Sequence, residues 1–375
     1  MRKHSFLSAS SSKRWLACPP SAKKCAEMTD RAGPDAAQGT DAHALAEHKV
    51  LKALGRDSPD PTEDLTYFDA EMDRCTDDYC AFVMEAYAEA KEHCKDPVVL
   101  VEQRLDYSRW VDGGFGTGDA LIIADDVIHV VDFKYGLGVF VESDQNSQMM
   151  IYGLGALDLY DGIYDINTVK MTVFQPRRDN ISTFTMSKEE LLKWADEVLV
   201  PTAKLAIKGE GEFHAGEHCQ FCKVKAICRE RAEQNLELAK YEFAHADTLT
   251  DDEITEILTK VDDLVSWGND VKDYALQQAL SGTKYDGFKV VEGRSNRKYA
   301  DEAAVADVVT KAGYDPYEKK VLGITAMTSL LGKKRFTELL DGLITKPPGK
   351  PALVPDSDKR PAMNTAADDF KNLEE

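Results

Sequence analysis

"GTGDALIIADDVIHVVDFKYG", residues 116–136, contains two apolar runs that read as β-strands, yet they carry Asp119, Asp132 and Lys134 among their aliphatics. The adjoining acids Asp125-Asp126 mark a tight turn, so the two runs form a hairpin. In that register Asp119 falls directly opposite Asp132, with Cβ atoms roughly 4.5–5.5 Å apart. Lys134, two residues from Asp132, shares its face. Two buried carboxylates so placed repel, and one takes up a proton unless a cation lies between them. A hard divalent ion such as Mg²⁺ resolves the conflict, since it takes one or two carboxylates plus waters and a substrate phosphate. The plainer alternative is a solvent-facing hairpin with an ion pair between Lys134 and an aspartate. A slip of one residue would put the two acids on opposite faces.

Working outward, helical patterns cover about 12–28 and 41–54, and 55–66 is polar and turn-rich. Residues 67–94 form an amphipathic helix with Phe68, Met72, Cys75, Tyr79, Phe82, Val83 and Ala86 at spacings of three and four. "PVVLVEQRLDY" precedes the hairpin as a further strand. A helix at 144–160, a strand "TVKMTVFQPR" and a helix at 187–207 follow it. Helices, then a small mixed sheet, then flanking helices predict an α/β fold with a central mixed sheet. From about 250 the chain becomes mainly helical. Helices are expected over 251–280, 301–312 and 324–344, with a short strand pair in "DGFKVVEGRSNRKY". The Pro-rich "TKPPGKPALVPDSDKRPAMN" reads as extended and the acidic end as disordered. No internal repeat is visible.

Gly-x-x-Asp (Gly116 to Asp119) and a following strand ending Asp-x-Lys (Asp132 to Lys134) resemble the PD-(D/E)xK, or restriction-endonuclease-like, nuclease core in its RecB-like branch. Two further elements match in order. "GTDAHALAEH" resembles that branch's Gly-x-x-x-His helix and puts His43 in the place of its metal-binding histidine. "QMMIY" resembles its Gln-x-x-x-Tyr motif and supplies Gln148 and Tyr152, four apart on one helix face. Glu102, on the strand before the hairpin, matches a frequently acidic position. The resemblance implies that His43, Asp119, Asp132 and the Phe133 carbonyl hold Mg²⁺ or Mn²⁺. Lys134 would orient the attacking water, and Gln148 and Tyr152 would position Lys134 or the DNA backbone. The implied activity is metal-dependent phosphodiester hydrolysis, as a DNA exonuclease in recombination or end processing. A non-catalytic DNA-binding scaffold that keeps the fold is the rival.

"HCQFCKVKAICRE" places Cys219, Cys222 and Cys228 as Cys-x₂-Cys-x₅-Cys, one ligand short of a four-coordinate site. Cys18, in "WLACPPS", is the candidate fourth thiolate, with Cys25 as competitor. A distant N-terminal cysteine joined to such a triplet resembles the iron–sulfur RecB-like nucleases of the AddB and CRISPR-adaptation kind. The resemblance implies a [4Fe–4S] cluster on Cys18, Cys219, Cys222 and Cys228. All-thiolate ligation equally suits Zn²⁺, to which His214 and His218 could contribute. Cys75, Cys80 and Cys94 read as core thiols.

The chain has 66 Asp and Glu against 46 Lys and Arg, a formal net charge of −20, which argues against a protein that coats nucleic acid. A local basic track remains compatible with that total, and Lys13, Arg14, Lys23, Lys24, Lys223, Lys225, Arg229 and Arg231 gather near the cysteines. Arg294, Arg297 and Lys298 (beside Ser295 and Asn296), and Lys333, Lys334 and Arg335, form two further basic clusters. No apolar run suits a bilayer, no secretory signal opens the sequence, and the cysteines read as thiols. The expected location is therefore the cytoplasm, that of the host cell for a phage protein. Nearly the whole chain resembles an uncharacterised family of phage and prophage replication–recombination clusters. The expected partners are DNA ends and a phage single-strand-binding or annealing protein, with no membrane. The expected organisation is a nuclease domain over 1–245, a helical accessory module over 246–345 and a tail over 346–375.

Overall fold

The hairpin turns where its acids predict. In the computed structural model, which describes residues 5–28, 33–237, 249–292, 299–317 and 321–345, Ala124 pairs with Val127 and Ala120 with Val131. Extending that register by one row sets Asp119 against Asp132. The sheet has five strands in sequence order: β1 (Val98–Asp106), β2 (Phe115–Ala124), β3 (Val127–Phe133), β4 (Thr168–Gln175) and β5 (Asn180–Ser187). The first three form an antiparallel meander. β3 and β4 are parallel, and β5 returns antiparallel along the edge. A parallel pair needs a crossover, and the crossover here contains the helix Ser147–Tyr160. The expected α/β architecture with a central mixed sheet is thus observed.

Helices cover both faces. On the first lie α1 (Ser12–Ala17) and α2 (Ser21–Ala26), where one continuous helix is expected. The break falls at Cys18, which takes an extended ψ of 82° before Pro19-Pro20. A residue preceding proline is driven out of helical geometry, which accounts for the break. The second face packs α3 (Pro34–Ala53) and α4 (Ala70–His93). Ala42, Leu45, Ala46 and Val50 of the one, and Met72, Cys75, Tyr79, Val83 and Ala86 of the other, bury Val99, Ala120, Ile122, Val131 and Phe133 of the sheet. The crossover helix α5 (Ser147–Tyr160) joins the first face. Its Met149, Ile151 and Leu154 cover Leu105, Leu121, Ile123, Ile128 and Val130, with Trp15 of α1 in the same core. Asp69 caps α4 by accepting from Met72 N, and Asn146 caps α5 by accepting from Gln148 N and Met149 N. Each such cap is worth about 1 kcal/mol.

α6 (Lys188–Trp194) and α7 (Val200–Lys208) run on through a π-helical turn at Ala195–Leu199 and close over the first face. α8 (Arg229–Leu236) follows the cysteine triplet, and α9 (Asp251–Leu280) packs against it. Two expectations need correction. "NISTFTMS", left unassigned from the sequence, is strand β5, and residues 286–292 form no strand. The chain divides into two compact units, Met1–Val291 and Glu292–Glu375. Within the first unit Lys225 and Arg231 hold Asp270 of α9 at 2.7 and 2.6 Å. The second unit contains α10 (Glu302–Lys311), α11 (Ile324–Leu331) and α12 (Lys333–Leu340); the expected helix 324–344 is interrupted at Gly332, φ +73°. Arg294, Ser295, Asn296, Arg297, Lys298, the side chains of Lys333 and Lys334, and the tail from 346 lie outside the described residues.

Candidate functional site

Strand alternation fails where the acids sit. Leu100 and Leu105, five apart on β1, both belong to the core beneath α5. On β2 a Cβ at Gly118 would contact Leu121 and Leu105 of that same core, although Gly118 and Leu121 are three apart. A period of two would send such pairs to opposite faces. Both strands therefore twist out of phase at one row, that of Glu102 and Asp119. Glu102 takes a left-handed φ of +49°, uncommon for a non-glycine residue. The distortion turns two carboxylates away from the dry core and towards the end of β3.

There Asp119, Asp132, Lys134, His43, Gln148 and Tyr152 meet. The Phe133 N–H donates to Asp119 Oδ2 at 2.7 Å, and His43 Nε2 lies 3.5 Å from the same oxygen. Gln148 bridges the other half, donating from Nε2 to Asp132 Oδ1 at 3.0 Å and accepting from Lys134 Nζ at 3.1 Å. Gln148 Nε2 also lies 3.5 Å from the Tyr152 hydroxyl. Lys134 Nζ is 3.0 Å from Asp132 Oδ2, and this ion pair is the buried oxygen's partner. His43 Nδ1 contacts the Gly39 carbonyl at 2.8 Å. A carbonyl only accepts, so Nδ1 donates to it, and Nε2 is the ring nitrogen turned towards Asp119. The site thus joins α3 from one side of the sheet to α5 from the other.

The charges are tightly interdependent. Burial opposes ionisation of Asp119, but His43, the Phe133 N–H and Lys134 outweigh it and hold its carboxyl below the ordinary range. Burial and the neighbouring charge of Asp119 push Asp132 up, against the pull of Lys134. Burial favours a neutral His43, yet Asp119, the Gly39 carbonyl and Asp132 prevail and raise it to about 9. Burial and Asp119 raise Glu102 to about 7. One acid is held ionised by its cationic neighbours and two are pushed towards protonation by burial and by Asp119.

Sequence patterning assigns Tyr79 only to a helical core stripe. Its ring packs on Phe133 with centroids 4.8 Å apart, but its buried hydroxyl has no partner. Burial and the charges of Asp119, Asp132 and Glu102 raise that hydroxyl well above its ordinary range. The available signal was a tyrosine where the stripe needed only a ring. Gly116 has a steric reason: a Cβ there would lie 2.9 Å from Tyr152 Cε1. Gly39 has none, since a Cβ there would meet nothing within 4 Å.

The cysteines of α1–α2 and of the segment before α8 are also brought together. Cys18, Cys25, Cys219 and Cys222 are buried and Cys228 half-buried. The closest thiol contact is Cys25 Sγ to Cys222 Sγ at 3.7 Å, and the Lys223 N–H points to Cys25 Sγ at 3.3 Å. The hydrogen bond from Cys222, against burial and helped by Arg14, lowers Cys25 to about 6. Cys25 therefore sits closer to the triplet than its sequence position suggested. His218 turns to the His214 carbonyl at 2.9 Å and lies 3.8 Å from Cys219 Sγ. Among the described residues no group of three or more His, Cys, Asp or Glu side chains is drawn together as an assembled metal site. Among the basic residues near the cysteines, Lys13 pairs with Glu217, Lys24 with Glu27, and Lys225 and Arg231 with Asp270.

Fold and site define a class: an α/β protein whose mixed sheet presents an acid–acid–lysine constellation between two helical layers. The chain belongs to the family described as "Protein of unknown function (DUF2800)", which matches residues 4–361. A solved structure titled "Crystal structure of SSO0001" aligns with 49% of this chain and 94% of its own, at 12% identity and a TM-score of 0.22. Among the described residues no helix is long and apolar enough to cross a membrane.

Proposed function

We propose that this chain is a metal-dependent deoxyribonuclease of the RecB-like PD-(D/E)xK type, acting on DNA ends as an exonuclease. The observation that supports the proposal is the convergence of Asp119, Asp132, Lys134, His43 and Gln148 at the end of β3, with Lys134 Nζ 3.0 Å from Asp132 Oδ2 and His43 Nε2 3.5 Å from Asp119 Oδ2. Carboxylate oxygens of Asp119 and Asp132 and the imidazole of His43 are donors of the kind that Mg²⁺ or Mn²⁺ takes, and they would hold the ion. The Phe133 carbonyl is the further oxygen the resemblance implies. Bound there, the ion would acidify a water and neutralise charge on the scissile phosphate.

The chain's own residues do the remaining work. Lys134 presents an ammonium to the developing negative charge, and Gln148 fixes it by accepting from Nζ while holding Asp132 through its other end. Tyr152 backs Gln148. The N–H of Phe133 fixes the rotamer of Asp119. Iron–sulfur or zinc ligation by Cys18, Cys219, Cys222 and Cys228 would tie the N-terminal helices to the segment before α8, and closing so long a loop restricts the unfolded chain most. These thiols fit either group by donor chemistry.

A non-catalytic scaffold has one observation in its favour. Paired His43–Asp119 and Lys134–Asp132 already cancel charge without an added ion. Incubating the protein with end-labelled linear DNA and closed circular DNA, with and without Mn²⁺, decides between the two. Mn²⁺-dependent loss of the linear form alone supports the exonuclease. Nicked circles make it an endonuclease, and binding without loss of either form supports the scaffold.

A further inference from the structure

The loop Gly136–Val141 connects the site to itself: it begins two residues after Lys134 and leads through the cap of α5 to Gln148. Its backbone is fixed with unusual care. Gln175, 1% exposed, donates from Nε2 to the carbonyls of Gly136 and Val139 at 2.9 and 2.8 Å and accepts from Val141 N at 3.3 Å. Asn180 donates to the Val141 carbonyl at 2.8 Å, and Arg178 donates to that of Leu137. Yet this anchored loop turns its apolar side chains outward: Leu137, Val139 and Phe140 are 49%, 36% and 46% exposed. A loop held only for stability would bury them.

Two features indicate what meets them. The Arg178 guanidinium lies 5.7 Å from the Phe140 ring centroid, whereas Tyr135 is buried and Arg177 is half-buried and paired with Glu71 at 3.0 Å. A cation beside an exposed aromatic ring and aliphatic side chains suits a strand that carries both phosphates and exposed bases. Moreover, a Cβ at Gly136 or Gly138 would meet nothing within 4 Å, so packing does not require glycine. Glycine instead leaves the backbone open to a close-lying ligand. In duplex DNA the base faces are covered by stacking, and only a single strand offers them.

We infer that Leu137 and Phe140 on the Gly136–Val141 loop form a stacking platform for the bases of single-stranded nucleic acid, with Arg178 beside them to take a phosphate, so that the site receives a single-stranded end. The inference rests on the nuclease reading for the chemistry at the end of the track. Its test is binding of the full-length protein, with Ca²⁺ as the divalent ion, to a labelled single strand, its duplex and a strand of abasic sugar-phosphate. Wild type should prefer the single strand. Phe140→Ala should weaken that binding roughly 5- to 100-fold, the range of one base–aromatic stack, while leaving duplex and abasic binding unchanged. Phe140→Tyr should restore it.

Duplex bound as tightly as single strand by wild type, an equal loss on all three ligands, or no loss from Phe140→Ala would each overturn the platform; the last would assign this face to a protein partner instead. Degradation of the single strand by Asp132→Ala in Mn²⁺ judges the nuclease reading separately. Retained degradation removes that reading and leaves the stacking result standing, whereas lost degradation with no effect of Phe140→Ala removes the platform alone.

Discussion

Replacing Glu102 with glutamine should stabilise the metal-free protein, and by more as pH rises. Glu102 is half-buried opposite Asp119, and its carboxyl is raised by burial and by that neighbour from 4.5 to about 7. An acid whose folded value is raised supports folding only while protonated. Below pH 4.5 both states hold the proton and the substitution gains nothing. Between 4.5 and 7 the unfolded chain ionises while the folded one resists, so the wild type loses stability. Above 7 the penalty is complete. At 1.36 kcal/mol per tenfold change, Glu102→Gln should gain about 3 kcal/mol at pH 8 and under about 1 kcal/mol at pH 5. For a unit of this size that is about 6 °C in Tm at pH 8 and about 1–2 °C at pH 5. The left-handed φ of residue 102 is common to both proteins and cancels. The assay is thermal unfolding in EDTA from pH 5 to 8, repeated with Mn²⁺, where the wild type should recover more stability than the variant. A gain independent of pH, or a loss at pH 8, would refute the reading of Glu102 as a crowded carboxylate at an acidic site.

Other consequences can be measured independently. His43, raised to about 9 chiefly by Asp119 against burial, adds stability that is full below pH 6.5 and lost as pH climbs through 9; the alkaline fall in the urea midpoint of metal-free protein should vanish in His43→Gln. Gly116→Ala places a Cβ 2.9 Å from Tyr152 Cε1 and should cost about 1–3 kcal/mol by overpacking, read as a lower Tm. Anaerobically purified protein should be brown, and Cys18→Ala should lose that colour and its iron while Cys25→Ala keeps both. The reverse pattern would make Cys25 the fourth ligand, and a colourless zinc protein would replace the cluster altogether.

The hairpin was legible because one turn signal fixes the whole register: once Asp125-Asp126 turn, Asp119 must oppose Asp132. Gln148 and Tyr152 were legible through the motif they resemble, and helical spacing then put them on one face. What stayed hidden has a common physical origin, namely geometry that breaks the local period. The left-handed Glu102, and the strands' change of phase beside it, cannot be read from a pattern that assumes alternation. β5 was missed because an edge strand buries only part of one face, so "NISTFTMS" lacks the apolar weight of its neighbours. The meeting of Cys25 with Cys222 was hidden because sequence cannot show how the break at Pro19-Pro20 turns α2 towards the triplet. The acidic partners of Lys13, Lys225 and Arg231 could not be read from the sequence, because Glu217 and Asp270 lie far along the chain from them.

The most direct measurement is single-turnover degradation of an end-labelled DNA strand in Mn²⁺ by wild type, Asp132→Ala and Lys134→Ala, each first shown to be folded by circular dichroism. Cleavage by wild type and its loss, by on the order of a hundredfold or more, in both variants is the predicted result, since each removes charge stabilisation aimed at the reacting phosphate. Cleavage that persists in either folded variant, or is absent from wild type with Mn²⁺ bound, would contradict it.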